Sequence, residues 1–177
     1  MIVNYKKNAG AEDFFGEKIG IDIFRFEDGL IVEHWDNLIA KSPQPNPSGH
    51  TQIDGETKIT DFDKTDANKA TAKGFITTVL VGQQFDQAPN FVDANNYTQH
   101  HPDIADNLSG LAMALQHMGE NGIHMLYDVN HITLGEGNFT LAVSEGNFAG
   151  NPTAYFDLLR LDNGKIVEHW GHVDYPW

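Results

Sequence analysis

The chain of 177 residues contains no cysteine. That removes disulfides, thiol nucleophiles and thiolate metal sites, and it fits a reducing compartment. Basic residues are scarce: 11 Lys and Arg face 25 Asp and Glu, giving a net charge of −14. The clustered cations that nucleic acid or an anionic membrane surface demands are therefore missing, and neither partner is expected. No stretch approaches eighteen consecutive apolar residues, and the first segment, "MIVNYKKNAGAEDFFGEK", has no apolar core of the kind found in secretory leaders. The expectation is a cytoplasmic protein. Catalytic signatures are also few. The 9 His residues include no H-E-x-x-H and no helical H-x-x-x-H pair, and no G-x-S-x-G is present, so neither a metal nor a serine nucleophile is expected. "GEGNF" lacks the G-x-G-x-x-G spacing of a phosphate cradle and reads as a turn between strands. No cofactor is expected.

What the chain does have is enough apolar material for a core, with 40% hydrophobic residues, and a sentence written twice. "DIFRFEDGLIVEHW" (22–35) and "DLLRLDNGKIVEHW" (157–170) share Asp22/Asp157, Arg25/Arg160, Gly29/Gly164, Ile31/Ile166, Val32/Val167, Glu33/Glu168, His34/His169 and Trp35/Trp170. Such a match marks an internal duplication. Each copy reads as a β-hairpin, with "DNGK" or "EDGL" as the turn.

The segments ahead of the two copies differ. Before the second, "GIHMLYDVNHITLGEGNFTLAVSEGNF" reads as two long strands. Upstream of it lie helical patterns: Ala72, Phe75, Ile76, Val79 and Leu80 on one stripe, and Leu108, Leu111, Leu115 and Met118 on another, with Asn107 or Ser109 as N-cap. "DANNYTQHHP" reads as a short strand closed by proline. Before the first copy there is one candidate strand in "MIVNYKKN". Residues 41–56 carry three prolines and two glycines and read as a linker. The expected organisation is a three-strand C-terminal remnant of a first repeat over 1–40, a linker over 41–56 and a complete α+β domain over 57–177. A three-stranded remnant is marginal alone, so its apolar face is expected to pack against another sheet, within the chain or in a homodimer.

The run of helices followed by four antiparallel strands, with "NYTQHHP", "LGEGNF" and "D-L-L-R…GKIVEHW", resembles the nuclear transport factor 2-like superfamily. More narrowly it is similar to the SnoaL-like branch of polyketide cyclases and predicted aldol-condensation proteins. The resemblance implies a cone-shaped, curved antiparallel sheet with helices over its concave face, the cystatin-like α+β roll, around a pocket for a small hydrophobic ligand. It also implies cofactor-free acid/base chemistry beside a carbonyl, with Asp157 at the position of the family's proton-transferring Asp. The family's assisting His has no counterpart in "AVSEGNF", which offers Ser144 and Glu145.

The residues point the same way. Asp157 sits in the apolar run "AYFDLL", where a solvated carboxylate is unexpected. Alternation places it with Tyr155 and Leu159 on one face and Phe156, Leu158 and Arg160 on the other. Burial of a carboxylate among apolar side chains is a usual way to tune a proton acceptor towards neutral pH. His100 is expected as its catalytic partner. In "YTQHHP", Tyr97 and Gln99 share one strand face, and Thr98 and His100 the other. Tyr97, Gln99, Glu145, Tyr155, His169 and Trp170 are expected to line the ligand site. In "VEHW", His169 is expected to share a face with Val167, and Glu168 with Trp170. Against each assignment stands a structural role: an ion pair for Asp157, a backbone hydrogen bond for His100, core packing for Trp170. Arg25 and Arg160 are expected to pair with nearby acids. The alternative to an enzyme is a non-catalytic ligand-binding or dimerisation module.

Overall fold

The computed structural model describes residues 17–173 together with the backbone of Tyr5, Lys6 and Asp174. The chain divides into two compact units, Met1–Pro43 and Gln44–Trp177.

The first unit holds a three-stranded antiparallel sheet in the order β1 (Tyr5–Lys6), β2 (Lys18–Glu27), β3 (Leu30–Ala40). The remainder of the candidate strand in "MIVNYKKN" lies outside the described residues. Alternation in β2 is marked: Ile19, Ile21 and Ile23 are buried. Phe26, on the other face, is exposed.

The second unit is α+β. Helix α1 (Thr65–Phe75) runs straight into a π-helical turn, Ile76–Val81. A 3₁₀ segment (Phe85–Asn90), the two-residue β4 (Thr98–Gln99) and helix α2 (Asn107–Glu120) follow. Strands β5 (Met125–Glu136), β6 (Phe139–Phe148), β7 (Asn151–Asp162) and β8 (Lys165–Asp174) then form an antiparallel meander. β4 joins β8 in parallel, so the sheet is mixed, in the order β4-β8-β7-β6-β5. Each meander turn has two residues: Gly137–Asn138, Ala149–Gly150 and Asn163–Gly164.

The helical stripe read from sequence is the core. Ala72, Phe75, Ile76, Val79 and Leu80 join Tyr97, Tyr127, Ala142, Tyr155, Leu159, Leu161 and Ile166 in one buried cluster. The stripe of α2 is only half-buried, and the N-cap of α2 is Asp106 rather than Asn107 or Ser109. Asn107 instead takes a left-handed backbone with φ 66°.

From Gln44 onward, the segment expected as a linker is part of the second unit. Asn46, 4% exposed, donates from Nδ2 to the carbonyls of Gln99 (2.6 Å) and Ile104 (2.9 Å), and its Oδ1 accepts from the amides of Ser48 and His50 at 2.9 Å. Its proline content reports an irregular backbone but not a loose one.

The duplication extends into fine structure. Both hairpins turn through a pair of positive φ angles, Asp28 and Gly29 at 52° and 80°, Asn163 and Gly164 at 49° and 75°. That is the twist-matched two-residue turn that favours Asn or Asp followed by Gly. Both shift register at the same motif position: Arg25 pairs Glu33 while Phe26 pairs Ile31, and Arg160 pairs Glu168 while Leu161 pairs Ile166. Val32 and Val167 are the extra residues of these bulges. In β8 the bulge overturns simple alternation, because Ile166, not Val167, joins the core cluster beside the face of His169.

Candidate functional site

The site is built from β7 outward. Tyr155, Asp157, Leu159 and Leu161 are all buried, and the three apolar members belong to the core cluster. Asp157 is therefore a carboxylate 2% exposed, set into the face that packs beneath the helices. Its neighbour on β8 is Gly171. Because glycine has no side chain, the ring of His169, two residues earlier on the same face, lies over that position and reaches Asp157. A Cβ added at Gly171 would stand 3.2 Å from the Cε1 and Nε2 atoms of His169.

His169 Nε2 lies 2.9 Å from Asp157 Oδ1. A carboxylate only accepts, so Nε2 carries the proton. His169 Nδ1 faces the hydroxyl of Tyr97 at 3.0 Å and Nε2 of Gln99 at 3.2 Å. Both are donors, which leaves Nδ1 as the lone-pair nitrogen of a neutral ring. Gln99 also donates to the Tyr97 hydroxyl at 3.1 Å, and the Tyr127 hydroxyl lies 3.3 Å from each oxygen of Asp157. The result is a directed chain, Gln99 to Tyr97 to His169 to Asp157, with Tyr127 donating from the far side. Burial, with the charge of Asp157 adding to it, pushes the phenols of Tyr97 and Tyr127 well above their ordinary range. They remain protonated donors.

Chemically, this is a base–orienter pair flanked by neutral hydrogen-bond donors. The carboxylate fixes the imidazole tautomer and would stabilise a positive ring. Phenols kept protonated in a poorly hydrated setting suit an oxygen that gains negative charge. No group of three or more His, Cys, Asp or Glu with metal-holding geometry occurs among the described residues.

The residues read from sequence divide into two sets. Asp157, Tyr97, Gln99 and His169 are brought together. His100 is not with them. Gln99 pairs with His169 across β4 and β8, so the next residue, His100, faces the opposite side of the sheet. There it is 1% exposed and stacks flat on Trp170 at 4.4 Å. Its Nδ1 meets the Thr51 carbonyl (2.8 Å) and Asp54 Oδ1 (2.9 Å), and its Nε2 meets Glu168 Oε1 (2.9 Å). Glu168 also pairs with Arg160, and Trp170 donates to the Asp54 carbonyl at 2.9 Å. His100, Glu168, Arg160 and Trp170 thus fasten the 51–56 segment to the sheet.

Glu145 is exposed and pairs with His131 at 3.0 Å. Tyr155 stacks on Tyr127 at 3.9 Å and donates to the Asn147 carbonyl at 2.9 Å, acting within the core. Sequence reasoning missed Tyr127. Register shifts between Tyr127 and Val129 and between Asn130 and Ile132 break the alternation of β5, so its parity gives no usable signal.

No family model matches the chain, and no curated protein matches it. Among solved structures, the chain is similar to TsrD from Streptomyces laurentii at 13% identity and a TM-score of 0.48, over 62% of this chain and 89% of that one. No helix among the described residues is long and apolar enough to cross a membrane.

Proposed function

We propose that the second unit is a SnoaL-like domain of the nuclear transport factor 2-like superfamily. Its site moves a proton at a carbon beside a carbonyl, in aldol, cyclisation or isomerisation chemistry on a small hydrophobic molecule. The observation that carries this reading is the contact at 2.9 Å between the buried Asp157 and the half-buried His169, flanked by two phenols that stay protonated. In this reading His169, not His100, completes the pair with Asp157. The pair takes the proton, and Tyr97 or Tyr127 turns its hydroxyl to the enolate oxygen as charge develops there. The helices-then-meander order supports the family assignment, as do "YTQHHP" and "GKIVEHW" around the site.

A non-catalytic binding module of the same fold is the second reading. It draws on closure of the network, since Asp157 and His169 are already bonded to each other and to phenols. One experiment separates the two. Deuterium incorporation next to the carbonyl of a set of hydrophobic ketones is followed by proton NMR in D₂O. The catalytic reading expects incorporation that falls by roughly 10²–10⁴-fold in Asp157→Asn and His169→Gln. The melting temperature of Asp157→Asn stays close to wild type, because an amide oxygen still accepts from His169 and Tyr127. Ketones that perturb the Tyr97 and Tyr127 resonances without exchanging would instead establish binding alone.

A further inference from the structure

The surroundings of Gln99 suit a different task from the ligand contact expected of it. The residue is 0% exposed, and a buried primary amide is tolerable only when its polar atoms are bonded. An amide offers two N–H donors and two oxygen lone pairs, and here all four are engaged. Oε1 accepts from the main-chain N–H of His101 at 3.0 Å and of His100 at 2.9 Å, the latter shared with the His169 carbonyl. Nε2 faces the Tyr97 hydroxyl at 3.1 Å and His169 Nδ1 at 3.2 Å. No capacity is left for a ligand.

The neighbours also settle which way the amide points. Main-chain N–H groups can only donate, so the atom facing His100 and His101 is the oxygen. Turning the amide over would set its NH2 against two donors. The main chain of Gln99 is held as closely: its N–H donates to Asp106 Oδ1 at 2.9 Å, and its carbonyl accepts from Asn46 at 2.6 Å. Parallel pairing of β4 with β8 sets Gln99 beside His169, so Nε2 is aimed at Nδ1 by a rigid frame.

We propose that Gln99 is a positioning residue that fixes the proton of His169. A donor held against Nδ1 requires that nitrogen to be the lone-pair atom, so the ring keeps its proton on Nε2, towards Asp157. The hydrogen-bond chain is thus anchored at both ends, by two peptide N–H groups and by a carboxylate. Nδ1 also meets two donors with a single lone pair, Tyr97 and Gln99. Gln99 can serve it alone, which frees the Tyr97 hydroxyl to turn to a ligand oxygen without stranding the ring. That consequence rests on the reaction proposed above; the placement of the proton does not.

The test reads the ring nitrogens of His169 in the ¹⁵N-labelled full chain near neutral pH, by long-range proton–nitrogen correlation. Loss of the signals in His169→Gln assigns them. Wild type is expected to show one neutral tautomer, protonated on Nε2. Gln99→Glu keeps the shape but replaces the donor by an acceptor, and both ring nitrogens should then carry protons. Asp157→Asn neutralises the other anchor, and the ring should keep the wild-type tautomer because Gln99 still holds it. A neutral ring in Gln99→Glu, or a proton on Nδ1 in Asp157→Asn, overturns the proposal. Near-ultraviolet circular dichroism confirms folding, and where Gln99→Glu is not folded the Asp157→Asn spectrum decides. In the ketone exchange assay, Gln99→Glu should lower kcat about 10²-fold at unchanged KM. A raised KM at unchanged kcat would make Gln99 a ligand contact and overturn the positioning role. If wild type exchanges no ketone, the proposed reaction fails, while the nitrogen spectra still decide what Gln99 does.

Discussion

His100 has two ring nitrogens, and both meet acceptors: the Thr51 carbonyl and Asp54 on one side, Glu168 on the other. Satisfying both requires the imidazolium. Burial alone would lower the pKa of His100, but the hydrogen bonds to Glu168 and Thr51 outweigh it and hold it above the ordinary 6.5. The stability it contributes is therefore complete below about pH 6.5 and lost as pH rises through the raised folded-state value. For Glu168, burial acts upward but His100 and Arg160 outweigh it, so its pKa falls below the ordinary 4.5. Its contribution is complete above that value and lost as pH falls through the lowered one. The pair is thus at full strength between the two ordinary values. Urea unfolding from pH 6 to 8.5 should show wild type losing stability relative to His100→Asn; parallel curves would mean that no imidazolium is present. His172 has the opposite sense. Burial, with His169 adding to it, pushes its pKa down to about 4, so its neutral form favours folding above about pH 6.5 and ceases to as the medium acidifies. At this scale the sequence was half legible. Alternation separated Gln99 from His100 and grouped Asp157 with Tyr155 and Leu159. It did not reveal which face of β4 looked towards Asp157, because that depends on parallel pairing with a strand some seventy residues away.

Elements behaved as their periodicity implied wherever the period was unbroken. The stripe from Ala72 to Leu80 is buried throughout, and all four meander strands lie where the β-rich runs placed them. Departures occurred where the backbone breaks period: the bulge at Val167 and the double shift in β5. Residues 44–56 are more firmly held than their composition implies, for a different reason. Their composition is that of a linker, but one side chain, Asn46, is held by four hydrogen bonds. Replacing it by alanine leaves two carbonyls and two amides without their partner and should cost roughly 2–3 kcal/mol. Urea denaturation measures that loss, and amide exchange should quicken at Ser48 and His50. A loss under about 0.5 kcal/mol would return the segment to linker status.

At the scale of the whole molecule, the dominant quantity is a net charge of −14 over 177 residues. Self-repulsion on that scale disfavours the compact state, and added salt screens it. Raising sodium chloride from about 20 mM to 300 mM should lift the melting temperature by roughly 2–4 °C. A fall would mean that local ion pairs such as Arg160–Glu168 outweigh the global term. The acidic balance was fully legible in the composition.

The two-residue turns carry one more consequence, for biosynthesis. Each strand of the meander meets its predecessor within two intervening residues, so β5 to β8 can zip sequentially from local contacts. The apolar stripe of α1 lies earlier in the chain than every strand of the sheet that buries it. On the ribosome that stripe emerges first and waits, greasy side outward, until more than eighty further residues have been translated. During that interval it is exposed to chaperones, to neighbouring nascent chains, and to the first hairpin already made ahead of it.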